Sequence, residues 1–199
     1  MDIVCFDMEG TLTPEIWNQV ALDSGISELT KTTREIPSFS DLMDYRLDIM
    51  QQYNLKLADI VAATKKLDLL DGALEFLNKV RREFQVVILS DTFHEIAYPL
   101  IEKLGNPLLL CHKLDVDNED NILGYKLRDL KAKKQAILSF QSMGYRCLAV
   151  GDSFNDLQMF EVADQSFFIN APETISSSMP EIPSFKKYSD LLTALRNSN

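Results

Sequence analysis

The chain has 199 residues, 46% of them hydrophobic and 25% charged, which is enough for one domain with a full core and a small insertion. Its formal net charge of −10 argues against nonspecific binding to nucleic acid or to an anionic membrane, because both need a basic surface. No apolar run approaches the roughly 20 residues of a membrane span, and the N-terminal one is too short for a signal peptide. A small anionic ligand would need local Lys, Arg or a metal ion to offset the global charge.

The cysteines are odd in number, and each lies in or beside an apolar run: Cys5, Cys111 and Cys147. This usage is typical of buried, reduced thiols, because structural disulfides belong to oxidising compartments. The reduced thiols therefore predict a cytoplasmic protein. Together with the negative net charge and the short apolar runs, they predict no nucleic-acid or membrane partner.

The N-terminus combines a short apolar run over residues 3–6 with the pentapeptide Asp7-Met8-Glu9-Gly10-Thr11. This pattern is typical of a buried parallel strand that delivers an acid to the carboxyl edge of a sheet, where open α/β folds bind ligands. Glu9 would face the same crevice if the chain stays extended, and Gly10 would let backbone N–H groups approach an anion. The pentapeptide predicts a phosphate site, with an acidic strand-to-helix turn as the alternative.

The next stretch, residues 13–70, contains no convincing strand. Helical patterns follow one another in it, at 15–23, 41–52 and 58–66. An insertion directly after the first strand lies over the carboxyl edge of the sheet and can act as a lid or specificity cap. We predict a helical cap at 13–70 and a core formed by 1–12 and 71–199.

Strand and helix patterns alternate after residue 70. Apolar runs predict strands at 86–89, 108–111, 147–150 and 166–169, and helical periodicity covers 73–83 and 135–143, the latter with Gly144 as its C-cap. Buried strands separated by helices predict an α/β fold with a doubly wound parallel sheet.

Residues 112–127 have the pattern of a β-hairpin with an acidic turn. The turn superficially resembles a calcium loop, but Asp120 stands where that loop needs glycine and Lys126 where it needs the closing glutamate. We therefore reject calcium binding at this turn.

Polar groups follow three of the predicted strands, and a lysine opens the helix between the last two. Asp7, Ser90 and Asp152 come directly after apolar runs, and Lys133 precedes the last of them. Because the carboxyl ends of parallel strands share one edge of a sheet, the four groups are expected to converge.

With these positions in this order, the chain resembles the haloacid dehalogenase-like phosphatase superfamily. The four motifs of that superfamily are matched by residues 7–11, Ser90, Lys133 and residues 151–156. The resemblance extends over the whole chain, because the stretch at 13–70 matches the position of the superfamily's small helical cap.

The resemblance implies a covalent phosphoryl transfer. Asp7 would attack phosphorus and form an aspartyl-phosphate, which divides one slow hydrolysis into two faster steps. Mg²⁺ would be held by Asp7, the backbone carbonyl of Glu9, and Asp152. Ser90 and Lys133 would bind the phosphoryl oxygens, and Glu9 would be the general acid and base.

Several positions keep a simpler alternative. Ser90 could only terminate its strand, and Asp156 could be an acid of a first helical turn rather than a residue that supports the ligands of the metal. Lys134 competes with Lys133 for the lysine role. Asn155 would orient a ligand or Lys133.

The histidines, His94 and His112, are expected to be structural or exposed, because the sequence arranges no carboxylate, serine or second histidine around them.

The general acid/base is normally Asp in this superfamily, and here it is Glu9. This glutamate, the start of the cap at residues 14–17 and the segment Ser90-Asp91-Thr92-Phe93 make the chain most similar to the phosphoserine phosphatase group. Within that group it resembles the branch that also has homoserine phosphotransferase activity. The resemblance implies phosphoserine as substrate, an alcohol such as homoserine as a second acceptor, and Asp91 as a further substrate-binding residue.

In that group a cap glutamate recognises the substrate ammonium and a cap arginine its carboxylate. Glu15 and Arg46 occupy the matching positions, and a planar guanidinium can bind a carboxylate through two parallel hydrogen bonds. The alternative for Arg46 is a surface ion pair with Asp44 or Asp48.

Two other functions remain open from the sequence. One is a phosphatase for another small phosphometabolite. The other is a receiver-like phospho-acceptor, which is disfavoured because receivers are shorter and have no cap. The sequence leaves the oligomeric state open, with a homodimer as one candidate because symmetric dimers are common among small enzymes.

Overall fold

The computed structural model describes residues 1–33 and 35–198 of the chain. Within these residues, one sheet contains seven strands: β1 Asp2–Phe6, β2 Gln85–Phe93, β3 Leu108–Val116, β4 Ile122–Lys126, β5 Arg146–Gly151, β6 Gln165–Ile169 and β7 Ser184–Phe185. The strand order is β4-β3-β2-β1-β5-β6-β7, and all neighbours are parallel except the β3–β4 pair. The predicted doubly wound α/β fold is confirmed.

The same residues form nine α-helices: α1 Ile16–Ser24, α2 Phe39–Gln52, α3 Leu57–Lys66, α4 Ala73–Val80, α5 His94–Lys103, α6 Ala132–Ser142, α7 Leu157–Phe160, α8 Glu173–Ser176 and α9 Tyr188–Arg196. None of the helices in the described part of the chain has the length and apolar character that crossing a membrane requires.

Both faces of the sheet are covered, and β1 shows why. Successive side chains of a strand point to opposite faces, so Val4 and Phe6 join one hydrophobic cluster while Ile3 and Cys5 join the other. Side chains of α1 to α5 and α9 pack in the first cluster, and those of α6 to α8 pack in the second. This double burial explains the continuously apolar run at residues 3–6 of β1.

The predicted helical insertion forms α1, α2 and α3, between β1 and α4. The chain leaves the sheet and returns to it at one place, where the Leu70 N–H donates to the Leu12 carbonyl at 3.1 Å. Helix α3 packs on α5, and Ile16 and Ile60 belong to the same hydrophobic cluster as Phe6. The division into a core (1–12 and 71–199) and a cap (13–70) stays a prediction, since the apolar packing is continuous across that boundary.

The β3–β4 hairpin anchors the helical insertion. Its turn residue Asp120 accepts the N–H of Leu57 at its carbonyl (3.1 Å) and the N–H of Ala58 at its carboxylate (2.7 Å), both at the start of α3. The Tyr125 hydroxyl donates to the Asp44 carboxylate of α2 at 3.3 Å. Part of the acidic turn therefore caps a helix.

Several boundaries differ from those that the sequence indicated. Strand β2 continues through Ser90 and Asp91 to Phe93, and β3 is both the third parallel strand and the first strand of the hairpin. Helix α6 ends at Ser142 with Met143 as its C-cap, so the predicted cap, Gly144, with φ of 86°, lies one residue beyond the observed one. No pattern in the sequence predicted α5, α7, α8, α9 or β7.

The cysteines are free thiols in the structure. Cys5 and Cys147 are buried in the sheet and Cys111 is half-buried. Burial raises the pKa of the Cys111 thiol to about 12, so it stays protonated at neutral pH.

Candidate active site

The carboxyl ends of β1, β2 and β5 border a cavity of about 320 Å³ beneath the inserted helices. All residues that the sequence indicated as catalytic, substrate-binding or metal-ligating line it: Asp7, Glu9, Glu15, Arg46, Ser90, Asp91, Lys133, Asp152 and Asn155. Parallel topology brings the strand-end residues together, because β1 lies between β2 and β5. The inserted segment adds Glu15 and Arg46, and α6 adds Lys133. This is the crevice where open α/β folds bind ligands.

Lys133 lies at the closed end of the cavity. It is in the first turn of α6, and its Nζ donates to the carboxylates of Asp7 and Asp156, each at 2.8 Å. Burial alone would lower the pKa of Lys133, but Asp156 and Asp7 outweigh it and hold that pKa well above its ordinary value. Lys134 instead points to the surface, where its Nζ pairs with Glu161 at 3.0 Å.

Asp156 organises the loop after β5. Its Oδ2 accepts the N–H groups of Asp152 and Ser153 at 2.9 and 3.0 Å, while its Oδ1 accepts from Lys133. A Cβ on Gly151 would overlap the Asp156 carboxylate, so this close approach requires glycine. Both oxygens of Asp156 are therefore engaged in holding Lys133 and the loop.

Three carboxylates crowd together around Lys133. Asp7, Asp152 and Asp156 each offer an oxygen, and these oxygens lie within 4.8 Å of one another. Burial, followed by the charge of Asp156, raises the pKa of Asp7 well above its usual range and that of Asp152 to about 7. Lys133 pairs with Asp7 and Asp156, and Asp152 adds a third carboxylate to the cluster. The cluster therefore has an excess of negative charge on hard oxygen donors, and this donor set fits a divalent cation such as Mg²⁺.

Gly10 has a different role from the one the sequence suggested. Its own N–H does not face an anion, because it donates to the Thr13 carbonyl at 2.7 Å. Its φ is 76°, and a Cβ there would overlap the Asp152 carboxylate. Glycine at this position therefore lets the β1 loop lie against Asp152.

Glu9 is held by the start of α1. Its Oε1 accepts the N–H of Ile16 at 2.8 Å, which satisfies one of the free N–H groups of that helix terminus. Burial, and then the neighbouring charge of Glu15, raise the pKa of Glu9 to about 7, although the Ile16 N–H and Arg46 act in the opposite direction. A carboxyl group with a pKa near neutrality suits proton transfer in both directions.

Arg46 projects from α2 into the far side of the cavity. Its guanidinium lies 4.4 Å from the centre of the Trp17 ring, and its Nη2 donates to the Lys31 carbonyl at 2.8 Å. The Nε is buried and has no hydrogen-bond partner among the described residues. Within that part of the chain no ion pair joins Arg46 to Asp44 or Asp48, so the surface alternative is wrong.

Ser90 and Asn155 complete the predicted set. Ser90 is buried, and its Oγ accepts the N–H of Thr92 at 3.3 Å. Asn155 is exposed, and its Oδ1 accepts from the Thr33 hydroxyl of the inserted segment at 3.4 Å. The described contacts of Lys133 are with acids, so Asp156, and not Asn155, orients this lysine.

Sequence reasoning missed two groups at the site. Trp17, which stacks with Arg46, could have been found as an aromatic residue at the start of the first inserted helix. His112 was expected to have no nearby carboxylate, and that expectation is wrong: its buried ring places Nε2 3.7 Å from Asp91 Oδ1. His94 is exposed, as predicted.

The fold, the order of the strand-end groups and their convergence around Lys133 define a hydrolase of the haloacid dehalogenase-like type. The sequence model for haloacid dehalogenase-like hydrolases matches residues 1–164, and the chain belongs to that family. The resemblance that the four motifs indicated is confirmed.

The chain is similar to two curated phosphoserine phosphatases over 96% of its length. It is 46% identical to phosphoserine phosphatase ThrH of Pseudomonas aeruginosa, of which the match covers 93%. It is 44% identical to a phosphoserine phosphatase of Pseudomonas syringae pv. tomato, of which the match covers 81%.

Solved structures show the same fold at lower sequence identity. A phosphoserine phosphatase in its apo form superimposes with a TM-score of 0.78 at 21% identity, and the match covers 94% of both chains. A substrate-bound phosphoserine phosphatase gives 0.75 at 20% identity over 97% of both chains.

Proposed function

We propose that the chain is a Mg²⁺-dependent phosphoserine phosphatase that works through an aspartyl-phosphate on Asp7. The observation that carries this proposal is the pairing of Asp7 Oδ1 with Lys133 Nζ at 2.8 Å at the closed end of a cavity whose other side presents Arg46. The names of the two relatives of 44–46% identity support the choice of substrate.

The first half of the reaction transfers the phosphoryl group to the protein. The Asp7 carboxylate forms a bond to phosphorus as the ester oxygen leaves, and Glu9 donates a proton to that oxygen. Lys133 and Ser90 bind phosphoryl oxygens. Asp7, Asp152 and the backbone carbonyl of Glu9 would hold Mg²⁺, which would neutralise part of the negative charge at this end of the cavity.

The second half releases phosphate. Glu9, now ionised, takes a proton from a water molecule whose oxygen attacks phosphorus, and the Asp7–phosphorus bond breaks. Asp7 returns to its carboxylate form and Glu9 to its protonated form. The hydrogen bond from Ile16 holds Glu9 Oε1, which leaves its other oxygen for these proton transfers.

The inserted helices would recognise the amino-acid part of the substrate. Arg46 would bind the substrate carboxylate, for which its buried, unpartnered Nε is available once the substrate enters. Glu15, which lines the same cavity at the start of α1, would bind the ammonium group. Asp91 and Asn155 line the cavity near the phosphoryl end.

The test is release of phosphate from phosphoserine with Mg²⁺, with EDTA, and by the Asp7→Asn variant. We expect turnover only with the wild-type protein and Mg²⁺, and a screen over other small phosphate esters should rank phosphoserine first. Another ester ranked first would move the assignment to a different phosphometabolite. Stable phosphorylation of Asp7 without turnover would favour the receiver-like alternative.

We also propose that homoserine competes with water for the phosphoryl group on Asp7. The support is Glu9, whose extra methylene relative to aspartate and whose bond to Ile16 define where an acceptor can be deprotonated. Phosphorus NMR of a mixture of enzyme, phosphoserine and homoserine should show phosphohomoserine. Its absence above an enzyme-free control would remove this second activity and leave the hydrolase intact.

A cytoplasmic location and a homodimer stay predictions from the sequence. Size-exclusion chromatography with light scattering checks the dimer directly.

A further inference from the structure

His112 joins the helical insertion to the phosphoryl end of the cavity. It lies on β3 opposite Phe93 of β2, and its ring is buried between Phe39 and Phe93, with ring centres 5.7 and 6.0 Å away. Phe39 begins α2 and lines the cavity. The ring therefore has little room to move.

Hydrogen bonding sets the tautomer of this ring. The backbone N–H of Arg128 donates to His112 Nδ1 at 3.1 Å, so Nδ1 carries no proton and the neutral ring has its proton on Nε2. Nε2 faces Asp91 Oδ1 at 3.7 Å. The histidine thus directs its N–H at the carboxylate of a cavity-lining residue.

Asp91 also faces Lys133. Its Oδ2 lies 3.7 Å from Lys133 Nζ, whereas Asp7 and Asp156 accept from that nitrogen at 2.8 Å. Burial would raise the pKa of Asp91, but Lys133 and His112 together lower it, so the carboxylate is ionised at neutral pH.

An ammonium has three N–H groups, and Asp7 and Asp156 use two of those on Lys133. The third is the one that can reach a phosphoryl oxygen. A carboxylate free to move by about 1 Å could take that N–H, since a charge-assisted hydrogen bond forms at about 2.8 Å. Asp91 is close enough to do so, and it lies between the two groups, with Oδ2 3.7 Å from Lys133 Nζ and Oδ1 3.7 Å from His112 Nε2.

We propose that His112 is a positioning residue that holds the Asp91 carboxylate away from the third N–H of Lys133 and so keeps this N–H available to the phosphoryl group. The inference rests on the proposed function, because it assumes that Lys133 binds phosphate. His112 itself touches neither the substrate nor the reacting atoms.

The test compares His112→Phe, which keeps a planar ring but loses both nitrogens, with His112→Gln, whose side-chain amide can still donate to Asp91. Two quantities are measured: KM and kcat for phosphoserine, and the dissociation constant of inorganic phosphate by calorimetry. His112→Phe should raise KM and the dissociation constant of phosphate about tenfold, which corresponds to about 1.4 kcal/mol of binding free energy. The kcat should change less than about threefold. His112→Gln should restore both to within about threefold.

The decisive control is the Asp91→Asn background, where no carboxylate competes for Lys133. In that background, His112→Phe should leave the dissociation constant of phosphate unchanged. The proposal would be overturned if His112→Phe lost phosphate affinity equally in both backgrounds. It would also be overturned if His112→Phe lost no affinity in either background while the wild type binds phosphate. If His112→Phe does not fold, as shown by thermal unfolding, His112→Met replaces it.

Failure of the proposed function is distinguishable. A wild-type protein that binds phosphate but does not hydrolyse phosphoserine contradicts the assignment of phosphoserine as substrate, while the calorimetric comparison still decides the role of His112.

Discussion

At the scale of single residues, the site depends on charges that are buried and held in place. Arg46 shows this most clearly, because its guanidinium is desolvated, stacked on Trp17 and bonded to the Lys31 carbonyl. Burial lowers its pKa to about 10, against the charges of Glu9 and Glu15, so it remains cationic at neutral pH. A fixed planar cation can select substrates that carry a carboxylate.

Arg46→Lys keeps the charge but loses the planar group. We expect kcat/KM for phosphoserine to fall about 100-fold, because a charged hydrogen bond contributes about 1.5–3 kcal/mol. Activity on p-nitrophenyl phosphate, which has no carboxylate, should change less than about threefold. Arg81→Lys is the matched control, since Arg81 binds the Leu104 carbonyl away from the cavity. Equal losses of kcat/KM on both substrates would contradict the role of Arg46 in recognising the carboxylate.

Glu9 is the second residue that is held in place. Its side chain is long enough for Oε1 to accept the N–H of Ile16. Glu9→Asp withdraws the carboxyl group by one methylene and breaks its hydrogen bond to Ile16. We expect kcat for hydrolysis to fall about 10- to 100-fold with KM little changed, since displacement by about 1 Å can cost that much. Steady-state kinetics measure this, with Glu9→Gln as the variant that keeps the length and loses the proton transfer. Unaltered kcat in Glu9→Gln would contradict the acid/base role.

At the scale of elements, helix and hairpin termini meet where the inserted helices contact the core. The turn between β3 and β4 caps α3 through Asp120, which adopts a positive φ of 66°. The hairpin therefore stabilises the position of α3 over α5. Because α3 is continuous in the chain with α1 and α2, the hairpin also helps to hold the inserted helices over the cavity.

Asp120→Ala should lower the free energy of unfolding by about 1–2 kcal/mol, because it removes a helix cap and places alanine at a positive φ. Asp120→Asn, which tolerates that φ and can still accept from Ala58, should cost less than about 0.5 kcal/mol. Urea unfolding measures both. Equal losses in the two variants would mean that the charge, and not the cap, matters there.

At the scale of the whole molecule, binding energy and stability are linked because the carboxylate cluster belongs to the folded state alone. Asp7 comes from the end of β1, while Asp152 and Asp156 follow β5, and the unfolded chain does not bring them together. A cation that binds the cluster must therefore raise the midpoint of unfolding.

We expect Mg²⁺ at about 100 times its dissociation constant to add about 2.7 kcal/mol to the free energy of unfolding. For a chain of this size that corresponds to about 5–10 °C in the midpoint. Calorimetric scans with MgCl₂ and with EDTA check this. Asp152→Asn should show a much smaller shift, and an equal shift in that variant would place the ion elsewhere.

Much of this molecule could be predicted because its local patterns are strong. The apolar runs before Asp7, Ser90 and Asp152 predicted three central strands, and parallel topology alone implied that their ends converge. Boundaries were less predictable: β2 extends through Asp91 because pairing with β3 resumes at Phe93 and His112, a long-range contact that no local pattern encodes.

The sequence by itself determined the order of the elements and the kinds of group at the sheet edge, since both depend on residue type and short-range spacing. Only the tertiary structure decided which groups act together. It put Lys133 rather than Lys134 among the acids, gave both oxygens of Asp156 to the loop and the lysine, and set His112 beside Asp91. The physical reason is that burial and charge pairing are properties of neighbours in space, and these neighbours come from segments up to 126 residues apart along the chain.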